Sequence, residues 1–182
     1  MMKSYLRYEP RKAFGVVTSP SCNVTFDFSG NLAITGGVQD VGVWNLRQAE
    51  KVTTLFDKGS YNNYPFGDIG EVTVLARSPD KSTVAVGYST GEIRVFNYLT
   101  NAHTATLRGH RSAVTALAYD EADGSIGSGL ALVSGGADTD MYVWDLVGMQ
   151  AMAKLRGHHD AITGVVLLRR RVGALASLVV SV

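Results

Sequence analysis

The strongest constraint on this chain is that it repeats. The segment LRGHRSAVTALAYD, beginning at Leu107, recurs as LRGHHDAITGVVLL beginning at Leu155, a step of 48 residues. Three apolar runs end in aromatics at a similar step: VGVWNL carries Trp44, IRVFNY carries Phe96 and MYVWDL carries Trp144, at intervals of 52 and 48 residues. Self-similarity at a fixed step means one supersecondary unit copied along the chain, each copy relying on its neighbours to bury its apolar surface. Between Gly109 and Trp144 the unit reads as an alternating run (Val114, Leu117, Tyr119), a glycine-rich turn from Asp123 to Gly129, the compact run LALVS, a second turn GGADTD, and the alternating Met141, Val143, Trp144. HTATLRG and AMAKLRG, just before each Gly-His, supply a fourth strand. Apolar spacing of two and runs rich in valine, threonine, isoleucine and tyrosine predict strands, not helices. A four-stranded sheet with apolar residues on both faces must stack against copies of itself.

On this reading the first unit covers about 13–56, the second 72–107 and the third 113–155, and a fourth begins near 161 and runs to 182 with SLVVSV as the counterpart of LALVS. About three and a half units are expected, and LFDKGSYNNYPFGDIG between the first two reads as a long surface loop. Twenty glycines against four prolines suit a chain of tight turns, and 46% hydrophobic with 18% charged residues is the composition of a globular protein. Net charge is +1, far from that of a protein that grips nucleic acid with its whole surface, so any RNA contact is expected to be local. Cys22 is the single cysteine, which excludes an intrachain disulfide framework and a multi-cysteine zinc site. No run reaches the length of a spanning helix, and MMKSYLRYEPRK has no apolar stretch behind its charges, so an intracellular protein with no membrane span is expected.

Units of about 50 residues that end in Trp-Asp or a relative of it resemble the WD-repeat β-propeller pattern. The resemblance implies an all-β fold of about three and a half four-stranded antiparallel blades in an incomplete ring. It also implies roles for residues: His110, Ser134, Asp138 and Trp144 match the buried network that ties the turns of a WD blade together, with His158 and Trp44 as counterparts in other units. Such a network is structural; a histidine linked to a carboxylate and a hydroxyl also has the composition of a hydrolase triad, but Ser134 lies within a strand with no strained turn to present it. Six residues before the aromatic, where the third unit has Asp138, the first has Val38 and the second Thr90. Four before it, Asp40, Glu92 and Asp140 align, so an acidic side chain at that turn is the more regular feature.

Other motifs resolve into turns and surfaces. Gly87-Tyr88-Ser89-Thr90-Gly91 has the G-x-S-x-G spacing, yet EIRVFN follows it where a nucleophile elbow needs a helix. The loop Gly124-Ser125-Ile126-Gly127-Ser128-Gly129 lacks the Gly-Lys-Ser/Thr of a phosphate cradle. His158-His159-Asp160 cannot converge on one metal ion from extended backbone, where neighbours point to opposite faces. Asn23-Val24-Thr25 is a glycosylation sequon that needs a secretory route to be used. Lys3, Arg7, Arg11 and Lys12, with Tyr5 and Tyr8 as stacking partners, form a candidate RNA or partner contact; Arg169-Arg170-Arg171 form a second basic cluster. No cofactor, resident metal or small-molecule substrate is expected.

KSYLRYE followed by FGVV, AVGYSTGEIRVFN, GHRSAVTALAYD, DTDMYVWDLV and GHHDAIT together are similar to one WD-repeat family, the U3 small-nucleolar-RNA-associated (Dom-interacting protein) family of the small-subunit processome. The similarity extends to about Leu168, and RRRVGALASLVVSV matches less well. Members resemble tandem propellers followed by a helical region, and this chain would correspond to the first part of the first propeller. The resemblance implies a non-catalytic scaffold in 18S ribosomal RNA processing, located in the nucleolus, with other WD-repeat processome subunits and the U3 particle as partners. A generic WD-repeat adaptor of another complex is the alternative.

Overall fold

The computed structural model describes residues 13, 18–56, 70–120, 131–169 and 177–182. Fourteen strands follow one another with no helix among the described residues. β1 (Val24–Phe26), β2 (Leu32–Gly36), β3 (Val41–Asn45) and β4 (Glu50–Leu55) form one antiparallel sheet in chain order. β5 (Val72–Arg77), β6 (Thr83–Tyr88), β7 (Glu92–Asn97) and β8 (Ala102–Arg108) form the second. β9 (Val114–Tyr119), β10 (Ala131–Gly136), β11 (Met141–Asp145) and β12 (Gln150–Leu155) form the third. β13 (Val165–Arg169) and β14 (Ser177–Ser181) pair as a two-stranded fourth sheet.

The alternation of side chains decides how these sheets stack. Along β6, Val84, Val86 and Tyr88 pack with Ile34, Val41, Val43 and Leu55 of the first sheet. The intervening Ala85 faces the other way and joins Ile93, Val95, Leu107, Val114, Leu132 and Trp144 between the second and third sheets. The pattern repeats one sheet on: Leu132 looks back to the second sheet, whereas Val133 packs with Ala116, Met141, Ile162 and Val165 toward the fourth. Because successive strand residues point to opposite faces, β5, β6, β7, β9, β10 and β11 each contribute to two separate cores. The sheets are therefore blades of an incomplete ring, and no middle blade has a solvated face.

Polar side chains fasten blade to blade along the inner strands. The Thr73 hydroxyl on β5 reaches the carbonyl of Val114 at 2.6 Å and that of Gly87 at 3.0 Å. One sheet further on, Thr115 contacts the carbonyls of Ile162 and Gly135 in the same manner. Asn23 completes the series between the first two blades: its side-chain Nδ2 donates to the Leu75 carbonyl at 2.9 Å and its Oδ1 accepts from the Leu75 amide at 2.7 Å. The residue of the candidate sequon is thus used as a surrogate strand.

The residue after each blade's aromatic shapes the turn that follows. Asn45 Oδ1 accepts from the amides of Arg47 (2.9 Å) and Gln48 (3.1 Å), and Asn97 Oδ1 accepts from Leu99 and Thr100 (both 3.0 Å). Asp145 Oδ1 accepts from Val147 at 2.9 Å. This is the short side-chain cap that asparagine and aspartate offer a turn. Each of these turns ends in a left-handed residue, Ala49, Asn101 or Met149, at φ of 58°, 56° and 52°. Among the described residues no helix is long and apolar enough to cross a membrane.

Candidate functional site

The third blade carries a chain of four buried polar groups. His110 sits just past β8, Asp138 in the turn between β10 and β11, Ser134 within β10 and Trp144 within β11. Trp144 Nε1 donates to Ser134 Oγ at 2.8 Å, Ser134 Oγ lies 2.7 Å from His110 Nε2, and His110 Nδ1 lies 2.9 Å from Asp138 Oδ1. An indole N–H only donates, so the serine proton is directed to Nε2 and the imidazole keeps its own proton on Nδ1 for the carboxylate. Asp138 also accepts from the Arg111 amide at 2.8 Å and the Asp140 amide at 3.3 Å, which ties this turn to the entry into β9. Burial pushes the Asp138 carboxyl up, but the Arg111 amide, the His110 ring and the Asp140 amide outweigh it and hold the group below the usual carboxylate range.

The atom order Asp–His–Ser is that of a hydrolase triad, yet the serine is fully buried and its oxygen already accepts the indole proton. Tyr142 closes the pocket, stacked on Trp144 at 5.2 Å between centroids and edge-on to His110 at 4.7 Å, with its hydroxyl donating to the Gly109 carbonyl at 2.8 Å. Gly136 makes the approach of histidine and carboxylate possible, since a Cβ there would lie 2.5 Å from His110 Nδ1. The chemistry of this site is cohesion between turns.

The other blades keep only parts of it. In the first, Trp44 Nε1 donates to Thr35 Oγ1 at 2.8 Å, and Trp44 is half-buried. Thr35 pairs with Gly42 as Ser134 pairs with Tyr142, two residues before the tryptophan in each case. In the second, Val86 and Phe96 stand at these places and the link is apolar. In the fourth, exposed His158 places Nε2 2.7 Å from Ser181 Oγ. His159 and Asp160 are exposed beside it, and among the described residues no group of three or more His, Cys, Asp or Glu is arranged to hold a metal. Ser89 lies in the hairpin turn between β6 and β7, where its Oγ accepts from the Glu71 amide at 2.9 Å. Lys3, Tyr5, Arg7, Tyr8, Arg11 and Lys12 lie outside the described residues, as do Arg170, Arg171 and the segments 57–69 and 121–130.

Asp40 and Asp140 immediately precede the third strand of their blades and Glu92 opens that of the second, and in two blades a cation cluster gathers around the carboxylate. Glu92 receives Arg94 at 2.9 Å and Arg108 at 2.8 Å. Asp140 receives Lys154 at 2.6 Å, Arg111 at 3.2 Å and Arg156 at 3.4 Å. The Lys154 ammonium, which also donates to the Tyr142 hydroxyl at 2.6 Å, holds the Asp140 carboxyl below its ordinary range. Pairing explains the recurrence: Glu92 lies directly across from Arg108, and Asp140 precedes Met141, whose cross-strand partner Leu155 precedes Arg156.

The pattern described as "WD domain, G-beta repeat" matches residues 101–145, from β8 through β11. Solved structures with the same arrangement include "Structure of U3-55K", at TM-score 0.67 and 23% identity over 83% of this chain and 43% of that one. "Crystal structure of RRP9 WD40 repeats" matches at TM-score 0.67 and 22% identity, over 83% and 42%. This is a WD40 propeller fold. At the sequence level the WD40 chain is similar to U3 small nucleolar RNA-associated protein 12 of Saccharomyces cerevisiae, 34% identical over 145 residues, 74% of this chain and 15% of that protein. It is also similar to the WD repeat-containing protein 3 homolog of Dictyostelium discoideum, 36% identical over 115 residues, 63% of this chain and 11% of that protein. The chain thus spans only 15% and 11% of the length of these two relatives.

Proposed function

We propose that this WD40 chain is part of a non-catalytic scaffold that assembles proteins and RNA for small-subunit (18S) ribosomal RNA processing, within the U3 particle and in the nucleolus. The observation that carries this reading is the 34% identity, over 145 residues, to a U3 small nucleolar RNA-associated protein. The geometry agrees with a scaffold: among the described residues, the Asp138–His110–Ser134 arrangement is closed around the buried serine, and exposed charge lies on the turns at blade ends. The second reading, a generic WD-repeat adaptor of another complex, asks for no more than the WD40 fold itself. The test is affinity purification of the tagged protein expressed from its own locus. Recovery of U3 RNA and other WD-repeat processome subunits supports the first reading; a preparation enriched in an unrelated complex and free of U3 RNA overturns it. Deleting residues 1–15, which carry the candidate contacts Lys3 to Lys12, is expected to disperse the protein from the nucleolus.

A further inference from the structure

The first strands of the blades, β1, β5, β9 and β13, lie beside one another at the inner edge of the ring, and along three of them runs a recess of about 830 Å³. Leu117, Val165 and Val166 give it an aliphatic wall, Phe28 and Tyr119 add aromatic surface, and Arg77 is the one charged residue among the described residues that line it. Phe28 and Val166 are 48% and 54% exposed, so the recess opens to solvent. Strand register shows that the fold does not require a cation at this place. Phe26 pairs with Ala33, Arg77 with Val84 and Tyr119 with Leu132, and each partner pairs in turn with its blade's aromatic, Trp44, Phe96 or Trp144. The first and third blades thus end the inner strand on an aromatic, and the second ends it on arginine.

Arg77 is held in position without being neutralised. Its Nη1 donates to the Phe26 carbonyl at 2.9 Å, and its guanidinium lies 4.0 Å from the centre of the Phe28 ring. Among the described residues Nε and Nη2 have no partner and no carboxylate forms an ion pair with the group. The carboxylates of the neighbouring turns are occupied: Asp27 accepts from the Leu32 amide at 2.8 Å, and Asp80 from the amides of Ser82 and Thr83, both at 2.9 Å. Lys81, 5.2 Å from the same phenylalanine ring, adds further positive charge.

We propose that this recess docks a segment of a protein partner in which one acidic side chain is accompanied by apolar ones. The carboxylate meets Arg77, and the apolar side chains cover Leu117, Val165 and Val166. Nε and Nη2 form one edge of the planar guanidinium, the fork that matches a carboxylate with two parallel hydrogen bonds. The contacts to Phe26 and Phe28 fix that edge before a partner arrives, which lowers the entropy lost on binding. An apolar wall around the pair keeps water away and strengthens it. Nucleic acid draws its affinity from several phosphate contacts, and one lining cation is too few. A small molecule is favoured by a pocket that buries most of its surface, whereas this recess is open along one side and suits a segment whose other face stays in solvent. The inference does not depend on which assembly the chain serves, and a purification without U3 RNA would leave it standing.

The test is nuclear magnetic resonance of the methyl-labelled full chain, titrated with acetyl-Leu-Ser-Glu-Ser-Leu-amide. Residues two apart share one face of an extended peptide, so the glutamate and both leucines can be presented together. The same peptide with glutamine or lysine in place of glutamate, and a pentanucleotide of uridylate, are run alongside. Saturable shifts of the Leu117, Val165 and Val166 methyls are expected, with binding at least fivefold weaker for the glutamine peptide and at least tenfold weaker for the lysine peptide. Arg77→Gln is expected to reduce the preference for glutamate over glutamine to less than twofold, a change that mere loosening of the blades would not produce. If circular dichroism shows that Arg77→Gln unfolds the chain, Val166→Glu takes its place: it puts a carboxylate at the exposed mouth and is expected to weaken the glutamate peptide at least fivefold. Val147→Glu, exposed in the turn after β11, is expected to change affinity less than twofold. Equal binding of the glutamate and glutamine peptides, an undiminished preference in folded Arg77→Gln, undiminished affinity in Val166→Glu, shifts confined to methyls outside the recess, or tighter binding of the oligouridylate overturns the proposal.

Discussion

Ser134→Ala removes one oxygen and strands two groups. Trp144 Nε1 and His110 Nε2 both depend on Ser134 Oγ, at 2.8 and 2.7 Å, and both belong to buried residues. A buried polar group left without a partner costs roughly 1–3 kcal/mol, so two of them, sharing one cavity and partly relaxing together, cost about 3 kcal/mol. Thr35→Ala breaks the matching bond in the first blade, but half-buried Trp44 admits water as a substitute, and the expected cost is about 1 kcal/mol or less. The second blade shows how the loss is offset, since Val86 and Phe96 fill the equivalent places without polar groups. Adding Trp144→Phe to Ser134→Ala removes one stranded donor, so the double variant is expected to cost about 1 kcal/mol less than the two single effects summed. Urea unfolding followed by far-ultraviolet circular dichroism measures all of these, provided the slope is unchanged. In thermal unfolding, 3 kcal/mol corresponds to a drop of about 6–12 °C for a chain of this size. If Ser134→Ala and Thr35→Ala differ by less than about 0.5 kcal/mol, the hydroxyl is not the centre of a dry network and the reasoning fails.

Gly136→Ala is expected to destabilise by more than the ordinary glycine-to-alanine effect, because its Cβ would lie 2.5 Å from His110 Nδ1; loss of the His110–Asp138 bond should appear as a shift of the imidazole resonances. Asp138 titrates below the usual carboxylate range when folded, so its contribution is complete above the unfolded value of about 4 and is lost as pH falls through the lower folded value. Urea midpoints between pH 5 and pH 2 should therefore fall more steeply for the natural protein than for Asp138→Asn, with Asp140, held low by Lys154, and Asp27 and Asp80, held low by hydrogen bonds within their own turns, contributing to the fall that remains. Thr73→Val is expected to cost about 1 kcal/mol by releasing the Val114 carbonyl, and hydrogen exchange should quicken along β5 and β9.

The repeat step, the strand runs and the alternation are legible in the sequence because each follows from a period of two inside a period near 50. The capping role of Asn45, Asn97 and Asp145 was there to be read as an Asx residue after each aromatic. The left-handed residues that close the same turns were not, since of Ala49, Asn101 and Met149 only asparagine favours that conformation. Glu92 and Asp140 stand out by spacing, but their partners Arg108 and Arg156 come 16 residues later and are found only through strand pairing. Thr73 and Thr115 act across blades on carbonyls, which have no sequence signature. Counting back from Trp44 equates Val38 with Asp138, but four residues separate the paired Gly36 and Val41 where five separate Gly135 and Met141. The first hairpin is shorter by one, and Val38 is an exposed turn residue.

That shortened hairpin points to how such a chain tolerates change in length. Inside β6 or β10, one inserted or deleted residue would exchange the side chains facing the two neighbouring cores, exposing both to misfit in a single event. In the hairpin tip the same deletion leaves Thr35 bonded to Trp44 and both strands in register. Insertions and deletions compatible with folding are thus confined to the blade ends, where the chain meets solvent. Core architecture and surface character can then drift independently, and recognition can be rebuilt at a rim without renegotiating the stack behind it.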